Sequence, residues 1–399
     1  GGRKKETGCC SLDSINDARK VAVDFGFPHN ILDLREEFGE SIIDNFVDEY
    51  ISGRTPNPCV LCNTHIKWEA LLKRADMLNC KYIATGHYAR VRELNGRYVI
   101  YKGVDEIKDQ SYVLWGVSQD CLSRTIFPMG KYHKDEIKRL AIDLGYESLA
   151  KKSESYEICF IPDNDYRSFL KRRVKGLEEK VQNGDFLNSS GEVIGKHDGY
   201  PFFTIGQRKL GKSFGKKPSY VIGIDPSNNT VTIGSKQDLN KQIMHVRDVN
   251  FGKLSSIKDG TKCLVKIRYK HVGEIATIFN VDKNLKIVFH KYVKGIAPGQ
   301  SAVLYSGDDV IAGGFILWFM SSKIPYTKTE FFNNLIIDFI NNEENILNFI
   351  NEFPNLKNFE TIINQKSLEE INRDTLVSRL KKQNKKFKIS KETLNNINS

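Results

Sequence analysis

Cysteine is scarce in this chain: eight stand among 399 residues, at positions 9, 10, 59, 62, 80, 121, 159 and 263. So few thiols in so long a chain exclude a disulfide framework of the kind that staples small secreted domains. Long apolar runs are lacking as well. None approaches the roughly 18 residues that a membrane-spanning helix needs, and the opening GGRKKETG has no apolar core of a secretory signal. These absences predict a cytoplasmic protein without a membrane partner. There is no internal repeat, and no second C-x-x-C or C/H pair at zinc-ribbon spacing. A structural zinc site at Cys59 and Cys62 is therefore disfavoured.

What is present is material for two or three domains, with 40% hydrophobic and 11% aromatic residues to fill their cores. The formal charge is +11, and the last 81 residues are close to balanced, so the basic excess belongs to residues 1–318. Lysine and arginine in excess favour a polyanion, because neutralising phosphates releases counterions. Charge alone does not decide between nucleic acid and an ordinary basic surface.

Helical and strand-like patterns alternate up to about residue 150, which predicts a doubly wound α/β sheet. Ile15, Ala18, Val21, Ala22 and Phe25 share one helical face, with Asp13 or Ser14 as N-cap and Gly26 as terminator. NILDL (30–34) and KYIATG (81–86) read as strands, and Phe38, Ile42, Ile43, Phe46, Val47 and Tyr50 as a second helical stripe. Ligands of such sheets bind beyond the carboxyl ends of the strands, which places TGHYAR (85–90) at a site. Residues 166–225 form a smaller mixed domain. Residues 226–318 carry short strands at regular spacing, a β-barrel pattern, and residues 319–399 read as a helical extension. Cys80, Cys121 and Cys263, among apolar neighbours, are expected to be small buried hydrophobes.

The stretch TPNPCVLCN (55–63) concentrates the chemistry. Pro56 and Pro58 fix φ and remove backbone donors, so a stiff approach presents Cys59 at a helix start, where the dipole favours thiolate. A metal, a redox disulfide and a covalent nucleophile all stay open on these residues alone.

Taken together, GRTPNPCVLCNTHIKW, ATGHYAR, KDQSYVLWGVSQD, SESYEICFI, FTIGQRKLG, VIGIDP and APGQSAVLY, in this order, resemble the tRNA-specific 2-thiouridylase family of PP-loop ATP pyrophosphatases. The resemblance runs from about Cys9 to Ile316. It implies an adenine nucleotide alpha hydrolase-like (PP-loop) domain over 1–165, a central tRNA-binding domain over 166–225 and a β-barrel over 226–318. It also implies ATP-dependent replacement of the C2 oxygen of a wobble uridine by sulfur, with ATP and magnesium as cofactors, tRNA and a persulfide donor protein as partners, and a monomer. By resemblance Cys62 is the nucleophile and Cys159 carries the persulfide sulfur, the two pairing later as a disulfide. Cys59 stands where many members have Asp. Three thiols, Cys59, Cys62 and Cys159, suit a 4Fe-4S cluster with one open iron, and a persulfide-only route competes with it. Gly86 is expected beside the nucleotide, and Asn57, Pro58 and His87 beside the target base. Lys108, Asp109, Gln110, Gln207, Arg208, Arg268, Tyr269 and Gln300 are expected to touch tRNA.

Two departures qualify this. No SGGxDS loop is present, so the PP-loop domain is expected to be incomplete at its N-terminus, to bind ATP poorly and not to thiolate tRNA. An RNA-binding remnant without catalysis is the alternative, and an iron–sulfur carrier a third. From Met320 the sequence resembles the N-terminus of the bacillithiol biosynthesis cysteine-adding enzyme. Met320 then reads as an original start and the chain as a fusion, against a lineage-specific helical extension.

Overall fold

The computed structural model describes residues 12–152, 158–161, 163–210, 214 and 218–317, all within one compact unit, Gly1–Phe319. The helical extension of the sequence reading, Cys9 and Cys10 lie outside the described residues.

The barrel follows directly from alternation. Thr261–Lys266, Glu274–Val281 and Asn284–Lys294 bury every second residue, so their inward sides converge on one apolar interior. Ser301–Ser306 pairs with Thr261–Lys266, followed by Glu274–Val281, Asn284–Lys294, Asn240–Phe251 and Asp309–Ile316. The last returns to Ser301–Ser306 and closes a six-stranded antiparallel barrel. Val246, Val265, Ile278, Ile287, Leu304 and Ile316 fill it. A hairpin, Ala89–Leu94 with Arg97–Lys102, extends this sheet through Tyr101 opposite Asp309. Its turn is Asn95-Gly96 with φ of 51° and 73°, the two positive angles that a right-twisted two-residue hairpin demands.

The α/β part is smaller than its sequence pattern. Its described sheet is one parallel pair, Ile83–Ala84 beside Thr125–Ile126. NILDL forms no strand: among the described residues no strand pairs with it, its Leu34 carbonyl accepts from Phe38 N–H of the following helix, and Ile31 and Leu32 are exposed. The first helix, Leu12–Asp24, ends at Gly26 with φ of 72° as expected. Of its apolar face only Ala22 is fully buried, and Phe25 is exposed. The second stripe holds better. Gly39–Asp44 and Asn45–Ile51 run on as one helical rod whose Phe46, Val47 and Tyr50 pack into the central domain with Ile161, Leu170 and Phe186.

That central domain is a four-stranded sheet in the order Val193–His197, Gly184–Leu187, Thr230–Gly234, Tyr220–Asp225. Thr230–Gly234, grouped with the barrel on spacing alone, pairs here because its partners Gly184–Leu187 and Tyr220–Asp225 are apolar on the same face. Cys121 and Cys263 are buried as expected, and burial pushes the Cys263 thiol up to about 12. Cys80 is exposed instead: it follows the helix-ending turn at Asn79, whose φ is 53°, and leaves the apolar surface there.

Trp115 ties the α/β part to the barrel. A Cβ built on Gly313 would sit 2.4 Å from the Trp115 ring, so the Trp115 side chain packs against strand backbone at a position that only glycine leaves open. The Asn250 amide donates to the Trp115 carbonyl at 2.6 Å. Gly313→Ala should therefore cost about 2 kcal/mol in urea unfolding, the usual scale of overpacking; a variant as stable as the parent would mean the indole moves aside freely.

Candidate functional site

The thiol segment is held by the barrel. Between Gly53 and Pro58 the chain is extended and cannot bond to itself, since Pro56 and Pro58 have no N–H. Its groups are met by the loop before Ser301–Ser306: Thr55 N–H donates to the Pro298 carbonyl at 2.7 Å, and the Gln300 amide donates to the carbonyls of Thr55 and Pro56 at 3.2 and 2.8 Å. The Asn57 amide donates to Ser301 Oγ at 3.1 Å, and the Tyr112 hydroxyl to the Ser301 carbonyl at 2.8 Å. Behind them the buried Glu49 carboxylate takes a two-pronged pair from Arg54 and a longer one from Arg247 of the barrel. Pro56, Asn57 and Pro58 are thereby buried, and Pro58 opens the helix Pro58–Leu61.

Cys59 sits in that first turn and keeps an exposed surface. Helix position alone predicts a lowered thiol pKa. The direction is the reverse: protein packed around the sulfur pushes it up, with the Lys67 ammonium pulling the other way. Cys62 is half-buried and begins Cys62–Ala70, wound with the wide π-helical turn that Gly39–Asp44 also adopts. Cys159 is exposed, and its neighbour Phe160 is anchored edge-on to Phe46 at 5.2 Å. Among the described residues no three His, Cys, Asp or Glu side chains converge to hold a metal ion. The thiols of Cys59, Cys62 and Cys159 are thus not gathered as a cluster requires: the barrel loop fixes the first two, the Phe46 helix the third.

The strand end supplies a second wall. After Ile83–Ala84, Gly86 has open space beside it, where a Cβ would meet nothing within 4 Å. That fits close approach by a nucleotide. His87 turns inward: its Nδ1 lies 2.9 Å from Thr85 Oγ1, and its ring lies against Trp68 and Phe127 at 5.4 and 6.3 Å. Burial, with Lys67 adding to it, pulls the imidazole down to about 3, so it is neutral near pH 7. The Lys67 ammonium favours the thiolate at Cys59 and disfavours the imidazolium at His87.

The remaining predicted residues divide. Gln110 shapes the strand end, accepting from Tyr88 N–H at 2.9 Å and donating its own N–H to the Tyr88 carbonyl at 2.8 Å. Asp109 is buried and accepts from Gly103 N–H, Ser111 N–H and the Ser111 hydroxyl, which places its carboxylate inside the protein. Lys108 is half-buried beside it. Gln207 is spent within its own loop, accepting from Thr204 N–H and donating to the Lys209 carbonyl, while Arg208 is exposed. On the barrel Arg268 is exposed and donates to the Lys294 carbonyl, and Tyr269 stands edge-on to Tyr112 at 6.3 Å. A cleft of about 380 Å³ lined by Leu34, Glu37, His65, Ile66, Glu69 and Met77, among others, includes none of these residues.

The neutral His87 has a consequence for stability. Unfolded, the imidazole takes its proton near 6.5; folded, near 3. The unfolded chain binds more protons between those values, so stability falls as pH drops through that window. The urea midpoint is expected to fall between about pH 7 and pH 5, and His87→Gln to remove part of the fall; an unchanged slope in the variant would contradict a buried neutral ring.

Comparison with known proteins matches the same three parts. Residues 2–163 match the tRNA methyl transferase HUP domain, 167–235 the tRNA methyl transferase PRC-barrel domain and 241–316 the aminomethyltransferase beta-barrel domain. Residues 320–399 match the N-terminal Rossmann-like domain of the bacillithiol biosynthesis protein BshC. The tRNA-specific 2-thiouridylase of Cytophaga hutchinsonii is 57% identical over 318 residues, 79% of this chain and 86% of that protein. That of Amoebophilus asiaticus is 58% identical over 79% of this chain and 84% of its own length, and that of Salinibacter ruber 53% over the same shares. With this identity along the whole described fold, the chain belongs to the tRNA-specific 2-thiouridylase family.

Proposed function

We propose that this chain is a tRNA sulfurtransferase that replaces the C2 oxygen of a uridine by sulfur. The observation that carries this reading is the thiol turn: Gln300 and Ser301 of the barrel hold Pro56 and Asn57, and with them the helix start at Pro58 that presents Cys59. ATP, when bound, supplies the adenylyl group that turns the C2 oxygen into a leaving group. Gly86 is the described residue assigned beside it.

Sulfur transfer is then a matter of two thiols. Exposed Cys159 receives a sulfane sulfur from the persulfide of a donor protein, whose own cysteine leaves as a thiol. The terminal sulfur forms the C2–S bond as the C2–O bond breaks and AMP leaves. The Cys62 thiolate attacks the Cys159 sulfur, which frees 2-thiouridine and leaves a Cys62–Cys159 disulfide for a cellular dithiol to reduce. The half-buried position of Cys62 keeps this nucleophile from adventitious oxidants, and neutral His87 borders the base without adding charge. An iron–sulfur cluster would need three thiols gathered on one centre, which the described residues do not offer, so no step is routed through it; the disulfide needs only Cys62 and Cys159 to approach each other.

The test is mass spectrometry of tRNA nucleosides from a thiouridylase-deficient cell expressing the chain. 2-Thiouridine is expected to return, the opposite of the outcome that the missing SGGxDS loop alone predicts. Cys62→Ser and Cys159→Ser should each lower it by at least about a hundredfold, and the double variant no further, since the two act as a unit. tRNA binding without any 2-thiouridine would favour an RNA-binding protein instead.

A further inference from the structure

The barrel carries two kinds of residue in this site. Arg268 and Tyr269 are exposed on its surface, and Ser301 is completely buried at the base of the loop that grips the thiol turn. A continuous path joins them: Tyr269 stands against Tyr112, the Tyr112 hydroxyl holds the Ser301 carbonyl, and the Ser301 hydroxyl accepts from the Asn57 amide, two residues before Cys59. The loop has little freedom. Gly299 has φ of +86°, and a Cβ there would sit 2.7 Å from both Glu49 Oε2 and the Thr55 carbonyl. The segment between the prolines has few other donors or acceptors with which to replace a lost bond.

We infer that Ser301 is a positioning residue for sulfur transfer, its hydroxyl holding Asn57 and thereby the turn that presents Cys59 and Cys62. Its role in turnover rests on the thiolation reading above; its hold on the turn does not. Ser301 touches neither thiol. It acts through Asn57, and through Tyr112 it places the thiol turn and the barrel surface on one hydrogen-bonded frame. Cys62 is half-buried in this state, so release of the turn uncovers its sulfur, while Cys59 is exposed already.

The experiment reads thiol alkylation in the full chain by peptide mass spectrometry, with exposed Cys80, far along the fold, as internal reference. In Ser301→Ala, alkylation of Cys62 is expected to accelerate about fivefold relative to Cys80, the equilibrium worth of one lost hydrogen bond. Asn57→Ala breaks the same bond from the other side and should do the same, and the double variant should add nothing further. Rates equal to the parent's in both single variants, multiplying effects in the double variant, or a rise at Cys80 that matches that at Cys62 would each overturn the inference. These readings need neither ATP nor tRNA. Where the chain does thiolate tRNA, Ser301→Ala should lower kcat and leave KM for tRNA within about twofold; a raised KM with kcat intact would make Ser301 a binding residue instead.

Discussion

A segment with proline at every second position cannot form a ladder or a helix with itself, and its carbonyls must find donors elsewhere. Here the donor is one side-chain amide, Gln300, reaching two consecutive carbonyls at Thr55 and Pro56 across 245 and 244 positions of sequence. The rest of the site depends on that splint. Without it the helix opened by Pro58 has no fixed origin, and Cys59 and Cys62 have no fixed direction. The buried Glu49 carboxylate reinforces it from behind, drawing Arg54 and Arg247 onto one point. A charge so buried is tolerable because both partners are guanidinium groups of fixed geometry.

Electrostatics at the turn show two effects competing and one winning. The N-terminus of a helix favours a thiolate, but the helix Pro58–Leu61 is short and the protein around the Cys59 sulfur is dense, so desolvation prevails and Lys67 offsets only part of it. The same lysine and the same burial act together on His87, because both disfavour an imidazolium. One ammonium thus opposes crowding at the thiol and adds to it at the ring.

Much of the barrel was legible in the sequence because its information is local: alternation of period two, with turn residues between. The Asn95-Gly96 hairpin was legible for the same reason and was passed over. The motifs around Cys59, Cys62, Gly86 and His87 could be placed on a helix start and a strand end. What could not be read was pairing at a distance. NILDL has strand composition but no neighbour among the described residues; Cys80 has apolar neighbours in sequence and solvent in space. Asp109 and Gln207 look like surface contacts and are spent on nearby backbone N–H groups. Ser301, an ordinary serine at the start of a strand, gives no local sign that its partner is Asn57.

The distance between those two residues has a consequence in time. The bond from Asn57 to Ser301 spans 244 positions, and every contact of the splint spans about as many. A ribosome adding some 5–20 residues per second therefore releases the thiol segment many seconds before its splint exists. Through that interval Cys59 and Cys62 belong to an unanchored chain. The site is among the last parts of the molecule to be assembled, and a nascent chain that has not reached residue 301 carries the thiols without the turn that directs them.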